Sequence, residues 1–266
     1  MDPRLDALAQ RLAQNPQDAE ALNAAYQHGQ TDPRGYAMFL EKVAKDSRDP
    51  VYAAHWFSEA ATVWTASLND LHRAARALMS AVDRDPTHAG AAERLAALYQ
   101  EKGDKRALVA LLERRTQGIA KLLPGRPELR PELGKLYGEL ARFWAEELNQ
   151  PEKALAAYKA AAEHDPENVE AIRRVRESLS AAGRWAEAIP YFEREQRALG
   201  GDRDAALALY LEEAEASRAA GKPEWVLRAL RKARELDGDD PVLKQQVGAT
   251  ILEQIHAKVR VTDEAR

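Results

Sequence analysis

Two stretches of the chain spell one phrase: WTASLNDLHRA at residues 64–74 and WAEELNQPEKA at residues 144–154. Each reads Trp, three residues, Leu-Asn, four residues, Ala. At the same offset of 80, residues 51–115 align with 131–195 without a gap, and 15 of the 65 positions are identical. Unrelated sequences match at roughly a tenth of positions, so the excess marks an internal repeat. The identities include Ala61/Ala141, Trp64/Trp144, Leu68/Leu148, Asn69/Asn149, Ala74/Ala154, Ala81/Ala161, Asp85-Pro86/Asp165-Pro166 and Gly103/Gly183. These are small residues, aromatics and helix stops. The phrase spells architecture.

Within each copy the periodicity is helical. Phe57, Ala60, Ala61, Trp64 and Leu68 fall at spacings of three and four, which places them on one helix face. Asn69-Asp70 supplies a turn and an N-cap. A second helix with Ala74, Leu78 and Ala81 inside stops at Asp85-Pro86, because proline disfavours helix in the residue before it. A third runs through Leu95, Ala96 and Tyr99 to Gly103, and a fourth through Leu108, Leu111 and Leu112. No alternating β-branched runs bounded by hairpin turns occur, so the expected class is all-α. Fourteen helices are predicted: one at 3–14, pairs at 17–46, 50–84, 87–120, 127–164, 167–199 and 202–236, and a last helix at 239–259.

These residues resemble the tetratricopeptide repeat family, in its bacterial-type arrays. That repeat reads W-x2-L-G-x2-Y, then A-x3-F, then a helix-ending proline, over about 34 residues. Tyr137, Leu140, Ala141 and Trp144 fill the first-helix pattern, and Ala154, Tyr158 and Pro166 complete the second. Phe57, Ala60, Ala61, Trp64, Ala74, Leu78 and Pro86 follow it more loosely. Leu95, Ala96, Tyr99 and Gly103 make another first helix, and Gly183, Ala188 and Phe192 another second turn and helix. The resemblance implies a right-handed α-solenoid of about six helix pairs, with an unpaired helix at each end.

Departures from the pattern carry their own expectations. The Trp64 and Trp144 units hold one extra residue before the turn, which lengthens the first helix. Arg176 stands where the pattern wants a small residue, predicting wider helix spacing there, and Glu213 and Ser217 replace Leu and Tyr, predicting a looser sixth pair. One domain over 1–266 is expected; the Pro/Gly-rich LLPGRPELRP, residues 122–131, reads either as a longer loop or as a joint at 121–131 separating 1–120 from 132–266. The stripes Leu5, Leu8, Leu12 and Leu243, Val247, Ile251, Ile255, Val259 read as caps of the array. They read equally as contacts to a longer array or to a second copy, which would make a homo-oligomer.

Composition narrows the chemistry. Net charge is −4 with no cysteine, which removes disulfides and thiolate chemistry and argues against nucleic acid as a partner. No apolar run approaches the length of a membrane span and the first residues lack a signal-peptide core, so no membrane insertion is expected and the cytoplasm is the expected compartment. His28, His55, His72, His88, His164 and His256 lack metal-ligand spacing. No phosphate-binding glycine loop and no nucleophile elbow occur. The expectation is no enzyme, no cofactor and no metal. The most basic run, RALRKARE at 228–235, falls on an outward second helix and reads as a solvated face.

The resemblance further implies a concave groove lined by first helices, where another protein's peptide, helix or domain would bind. Polar positions pointing into it are His55, Glu59 and Thr62, with Ser58 beside them, then Glu93, then Lys135 and Arg142, then Arg173 and Arg174. The four cations suit an acidic partner. Glu170 and Glu177 stand where they would neutralise the arginines along the helix.

Overall fold

Prolines and short polar side chains punctuate the chain, and the helices follow them. The computed structural model describes residues 3–264, with side chains described for 5–256. Fourteen α-helices occur among the described residues, and no strand. They are α1 (Pro3–Gln14), α2 (Ala19–Thr31), α3 (Pro33–Asp46), α4 (Pro50–Ala66), α5 (Leu71–Arg84), α6 (Ala89–Glu101) and α7 (Lys105–Leu122). After a 3₁₀ turn (Pro127–Leu129) come α8 (Arg130–Arg142), a π-helical turn (Phe143–Glu147) and α9 (Pro151–His164). The remainder are α10 (Val169–Ala181), α11 (Trp185–Ala198), α12 (Arg203–Ala219), α13 (Pro223–Leu236) and α14 (Pro241–Glu264). Six tetratricopeptide-like helix pairs, α2/α3 to α12/α13, are thus flanked by an unpaired helix at each end.

The caps have a common chemistry. Asp18, Asp32, Asp49, Asp70, Asp104, Asn168 and Asp202 each accept a first-turn backbone N–H, and His88 does the same through Nδ1. Each such bond satisfies a donor the helix cannot, contributing about 1 kcal/mol. Proline opens α3, α4, α9 and α13, where its missing N–H costs nothing.

In five of the six pairs the turn comes in one of two sizes. At Gly103, Gly183 and Gly221 the backbone is left-handed, and the next residue's N–H reaches five residues back, as in Asp104 N–H to the Tyr99 carbonyl. At Asn69 and Asn149 the backbone is also left-handed, with φ of 48° at both. There the reach is six residues: Asp70 to Trp64 at 2.8 Å and Gln150 to Trp144 at 2.8 Å. The extra residue of the tryptophan units is taken up in this wider closure. It leaves α4 at 17 residues and forces the last turn before Asn149 into π geometry.

The chain divides into two compact units, residues 1–140 and 141–266, with the division inside α8. In the first unit, Leu5, Ala9 and Leu12 of α1 join a core running through Phe39, Leu40 and Val43 of α3, Phe57, Ala61 and Trp64 of α4, and Leu78 of α5 to Leu95 and Leu111. The segment 122–131 is a turn whose Leu129 is buried with Ile119, Leu133 and Leu136. In the second unit, Ala214, Val226, Leu230 and Ala233 pack with Leu243 and Val247 of α14. Ile251 lies partly buried against that cluster, Ile255 is 50% exposed, and Val259 lies outside the described side chains.

The expectation of a loose sixth pair is corrected. Helices α12 and α13 make one of the more extensive helix contacts among the described residues. Glu213 is 1% exposed, and its carboxylate accepts from Arg228 on α13 at 2.7 Å and from Gln196 on α11 at 3.0 Å. A polar side chain with partners fills the space that Leu would have taken.

Candidate functional site

On α4 the sequence places a stripe at spacings of three, four and three: Tyr52, His55, Glu59 and Thr62. All four are exposed. The buried positions between them, Ala53, Ala54, Trp56, Phe57, Ala60 and Ala61, hold the helix in the core. The His55 ring sits 5.0 Å from that of Trp56, tilted by 59°. Trp56 itself is buried, and its indole N–H has no acceptor among the described residues. Burial pushes the Tyr36 phenol up, and the charge of Glu59 and the neighbouring Tyr26 push it the same way. Tyr26, Tyr36 and Glu59 therefore share one electrostatic neighbourhood, and Tyr26 is exposed.

Ser58 is buried and does not present itself to a partner. Its carbonyl accepts from Thr62 Oγ1 at 3.2 Å and from Arg94 of α6 at 3.2 Å, and its hydroxyl oxygen lies 3.0 Å from the same arginine. Arg94 ties α6 to α4 beside the stripe and was not foreseen from the sequence. The only signal was its identity with Arg174 in the second copy. Glu93 of α6 and Lys135 of α8 are exposed in the same unit.

The second unit holds Arg142, Arg173 and Arg174. Arg142 is exposed, while Arg174 pairs with Glu170 at 2.8 Å and Glu177 at 3.8 Å along α10. These contacts raise the Arg174 guanidinium above its ordinary value, first through the hydrogen bond it donates to Glu170. Arg173 turns instead to Glu195 on α11, at 2.9 Å. Glu195 is 2% exposed and also binds Arg176 at 2.6 Å, while Arg176 reaches Glu212 on α12 at 2.7 Å and stacks on Phe192 at 4.9 Å. The arginine that breaks the repeat pattern thus joins three helices through charge. The pattern showed Arg176 as an anomaly; nothing in it showed that Glu195, nineteen residues on, would meet it.

Both repeated tryptophans are buried, Trp64 at 2% and Trp144 at 8% exposure. The Trp64 indole N–H donates to Glu41 Oε1 at 2.8 Å, and Arg73 lies 4.6 Å over its ring. Lys153, eighty residues after Arg73, lies 4.1 Å over Trp144. The repeat therefore preserves a cation over each ring.

Among the described residues, no group of three or more His, Asp or Glu is placed to hold a metal ion. No described helix is long and apolar enough to cross a membrane.

Several solved structures resemble the chain. The TPR protein YrrB, described as having an unusual peptide-binding site, is 20% identical over 72% of this chain and 90% of its own, with a TM-score of 0.39. MamA is 15% identical over 70% and 92%, with a TM-score of 0.39. The C-terminal part of a TPR repeat-containing protein from Cytophaga hutchinsonii is 15% identical over 90% and 98%, with a TM-score of 0.38. No family's sequence model and no curated protein matches the chain.

Proposed function

We propose that the chain is a non-enzymatic interaction scaffold that binds a peptide, helix or domain of another protein, in the cytoplasm and without a cofactor. The observation that carries this is the α4 stripe. Tyr52, His55, Glu59 and Thr62 share one exposed face of a helix whose other faces are buried. Such a face offers aromatic contact, both hydrogen-bonding senses and a charge on a rigid support, which suits recognition of a polypeptide. Glu93 and Lys135 extend the proposed surface in the first unit, and in the second unit Arg142, Arg173 and Arg174 offer a candidate surface of their own. Of these, Arg173 and Arg174 already have glutamate partners, so an acidic partner would compete with internal pairs for them.

Affinity capture with mass spectrometry tests the reading. Wild type is compared with His55→Glu/Glu59→Lys and with Arg142→Glu/Arg174→Glu, sparing Arg173. A partner kept by wild type and lost from the first variant supports the stripe. A partner list unchanged in both variants refutes it.

A second reading, self-association through the terminal helix, is favoured by the exposure of Val242, Leu252 and Ile255 on α14. Light scattering over a concentration series decides it, since a mass that does not change with concentration removes it.

A further inference from the structure

Phe57 and Trp64 lie two residues from His55 and Thr62 respectively, about 200° around the same helix. They therefore face away from the stripe proposed above, toward the second helices α3 and α5. There the structure holds a cavity of 290 Å³. Its floor is Phe57, Trp64 and Ala77, with Met38 at one side. Its rim is charged by Lys45, Arg73 and Arg76 against the single carboxylate of Glu41. Glu41 is already engaged by the Trp64 indole N–H at 2.8 Å and faces Lys45 at 3.9 Å. Arg73 lies over the tryptophan and reaches Asp70 at 3.4 Å. Arg76 is exposed, with no carboxylate at salt-bridge distance among the described residues. With Asp70 counted, three cations against two carboxylates leave a locally positive rim on a chain whose net charge is −4.

The internal repeat supplies a control. Eighty residues on, the buried tryptophan and the cation over it recur as Trp144 and Lys153. The rim does not: within the aligned stretch Arg76 and Ser80 become Ala156 and Ala160. The helix pair folds around its tryptophan without those residues, so packing alone does not call for them in the first copy.

We infer that this cavity is a second binding site, independent of the α4 stripe, which takes a large apolar side chain from an acidic segment of a partner protein. At 290 Å³ the space lies just below the usual range for drug-sized ligands, and it suits one anchoring side chain. The rim supplies charge complementarity to carboxylates flanking that anchor. Arg76 is the residue most available to them, because Arg73 and Lys45 each have a carboxylate partner.

The probe is a set of acetylated, amidated five-residue peptides with two acidic residues on each side of a central phenylalanine, tryptophan, leucine or serine. Binding to the full chain is read by fluorescence anisotropy. Saturable binding of at least one large-centred peptide is expected, with the serine peptide about tenfold weaker. Arg76→Glu should weaken the best peptide by about tenfold with unchanged melting, as one attraction becomes a repulsion. Should that variant unfold, Met38→Ser at the exposed side wall keeps the test, with a loss of about threefold expected. The variant His55→Glu/Glu59→Lys should leave peptide affinity unchanged, which separates this site from the stripe. Equal affinity for the serine and phenylalanine peptides, no saturation up to millimolar concentration, or indifference to both pocket variants would each overturn the proposal. So would concentration-dependent self-association that Arg76→Glu abolishes, since it would assign the cavity to a second copy.

Discussion

The α4/α5 pair and the α10–α13 stack fill the same kind of space with opposite materials. In the first, Phe57, Ala61 and Trp64 meet Ala74, Leu78 and Ala81, and polar contacts sit at the edge, at Glu41 and Arg73. In the second, Arg176, Glu195 and Glu213 are themselves buried, and their bonds cross from α10 to α11, α12 and α13. Helix-pair geometry accepts either filling as long as the volume is occupied and every charge has a partner. The two fillings differ in how they fail. An apolar core loses stability with the area and cavity of what is removed, whereas a buried ion pair loses most when one partner goes and the other stays.

That contrast sets the two largest effects. Glu195→Ala leaves Arg176 buried with only Glu212 beyond its own helix, and Arg173 with no carboxylate on α11. It should cost about 3–5 kcal/mol in denaturant unfolding of the second unit. Replacing both partners, as Arg176→Met/Glu195→Leu, should restore most of that loss, because no buried charge is left alone. If the double variant is as unstable as the single one, the network is not behaving as a charge pair. Trp64→Ala should also cost about 3–5 kcal/mol. Here a second change at Glu41 should recover little, since the loss is volume. A large rescue by Glu41→Leu would erase the distinction between the two regions.

The same contrast explains what could be seen in the sequence. Apolar faces repeat at helical spacing, so the helix pairs, the tryptophans and the glycine and asparagine turns were legible from residues such as Ala61, Trp64 and Gly103. The stop at Asp85-Pro86 and the helix start at Pro50 follow from backbone chemistry alone. The buried network was not legible, because it joins Arg176 to Glu195 and Glu212 across 19 and 36 residues, and no periodicity links those separations. A charge in a core position reads as a defect until its partner is known. The α4 stripe was legible in position but not in composition. His55, Glu59 and Thr62 followed from the first-helix register, while Arg94 entered through a bond to the Ser58 carbonyl that depends on how α6 lies against α4.

A smaller effect concerns the turns that both tryptophan units share. Asn69 and Asn149 adopt φ of 48°, a conformation that costs an ordinary side chain roughly 1–2 kcal/mol and glycine nothing in sterics. Asn149→Ala should therefore destabilise the second unit by about 1 kcal/mol, and Asn149→Gly should be nearly neutral in thermal melting. The same pair of changes at Asn69 should give the same pattern, because the closure bonds match at 2.8 Å in both copies. Unequal responses at the two sites would show that the π turn before Asn149 relaxes the strain that α4 retains.

The smallest expected effect lies at high pH, and it again separates the units. Burial raises the phenols of Tyr36 and Tyr99 in the first unit and of Tyr158 and Tyr191 in the second. A phenol whose folded value lies above the unfolded value near 10 contributes stability that is fully present below that value. The contribution is lost as pH rises through the raised folded value. In the first unit every neighbour adds to the effect of burial: Glu59 and Tyr26 at Tyr36, and Asp104 at Tyr99. In the second unit cations oppose burial while glutamates add to it: Arg174 and Arg142 against Glu146 and Glu170 at Tyr158, and Arg194 against Glu163 and Glu187 at Tyr191. Glu59→Gln should move the Tyr36 titration down, and Arg174→Gln should move that of Tyr158 up, both read by tyrosinate absorbance in single-tyrosine backgrounds. A shift at Tyr36 would place the Glu59 charge against that phenol in solution and tie the exposed stripe of α4 to α3. No shift would leave the stripe without its electrostatic link to Tyr36.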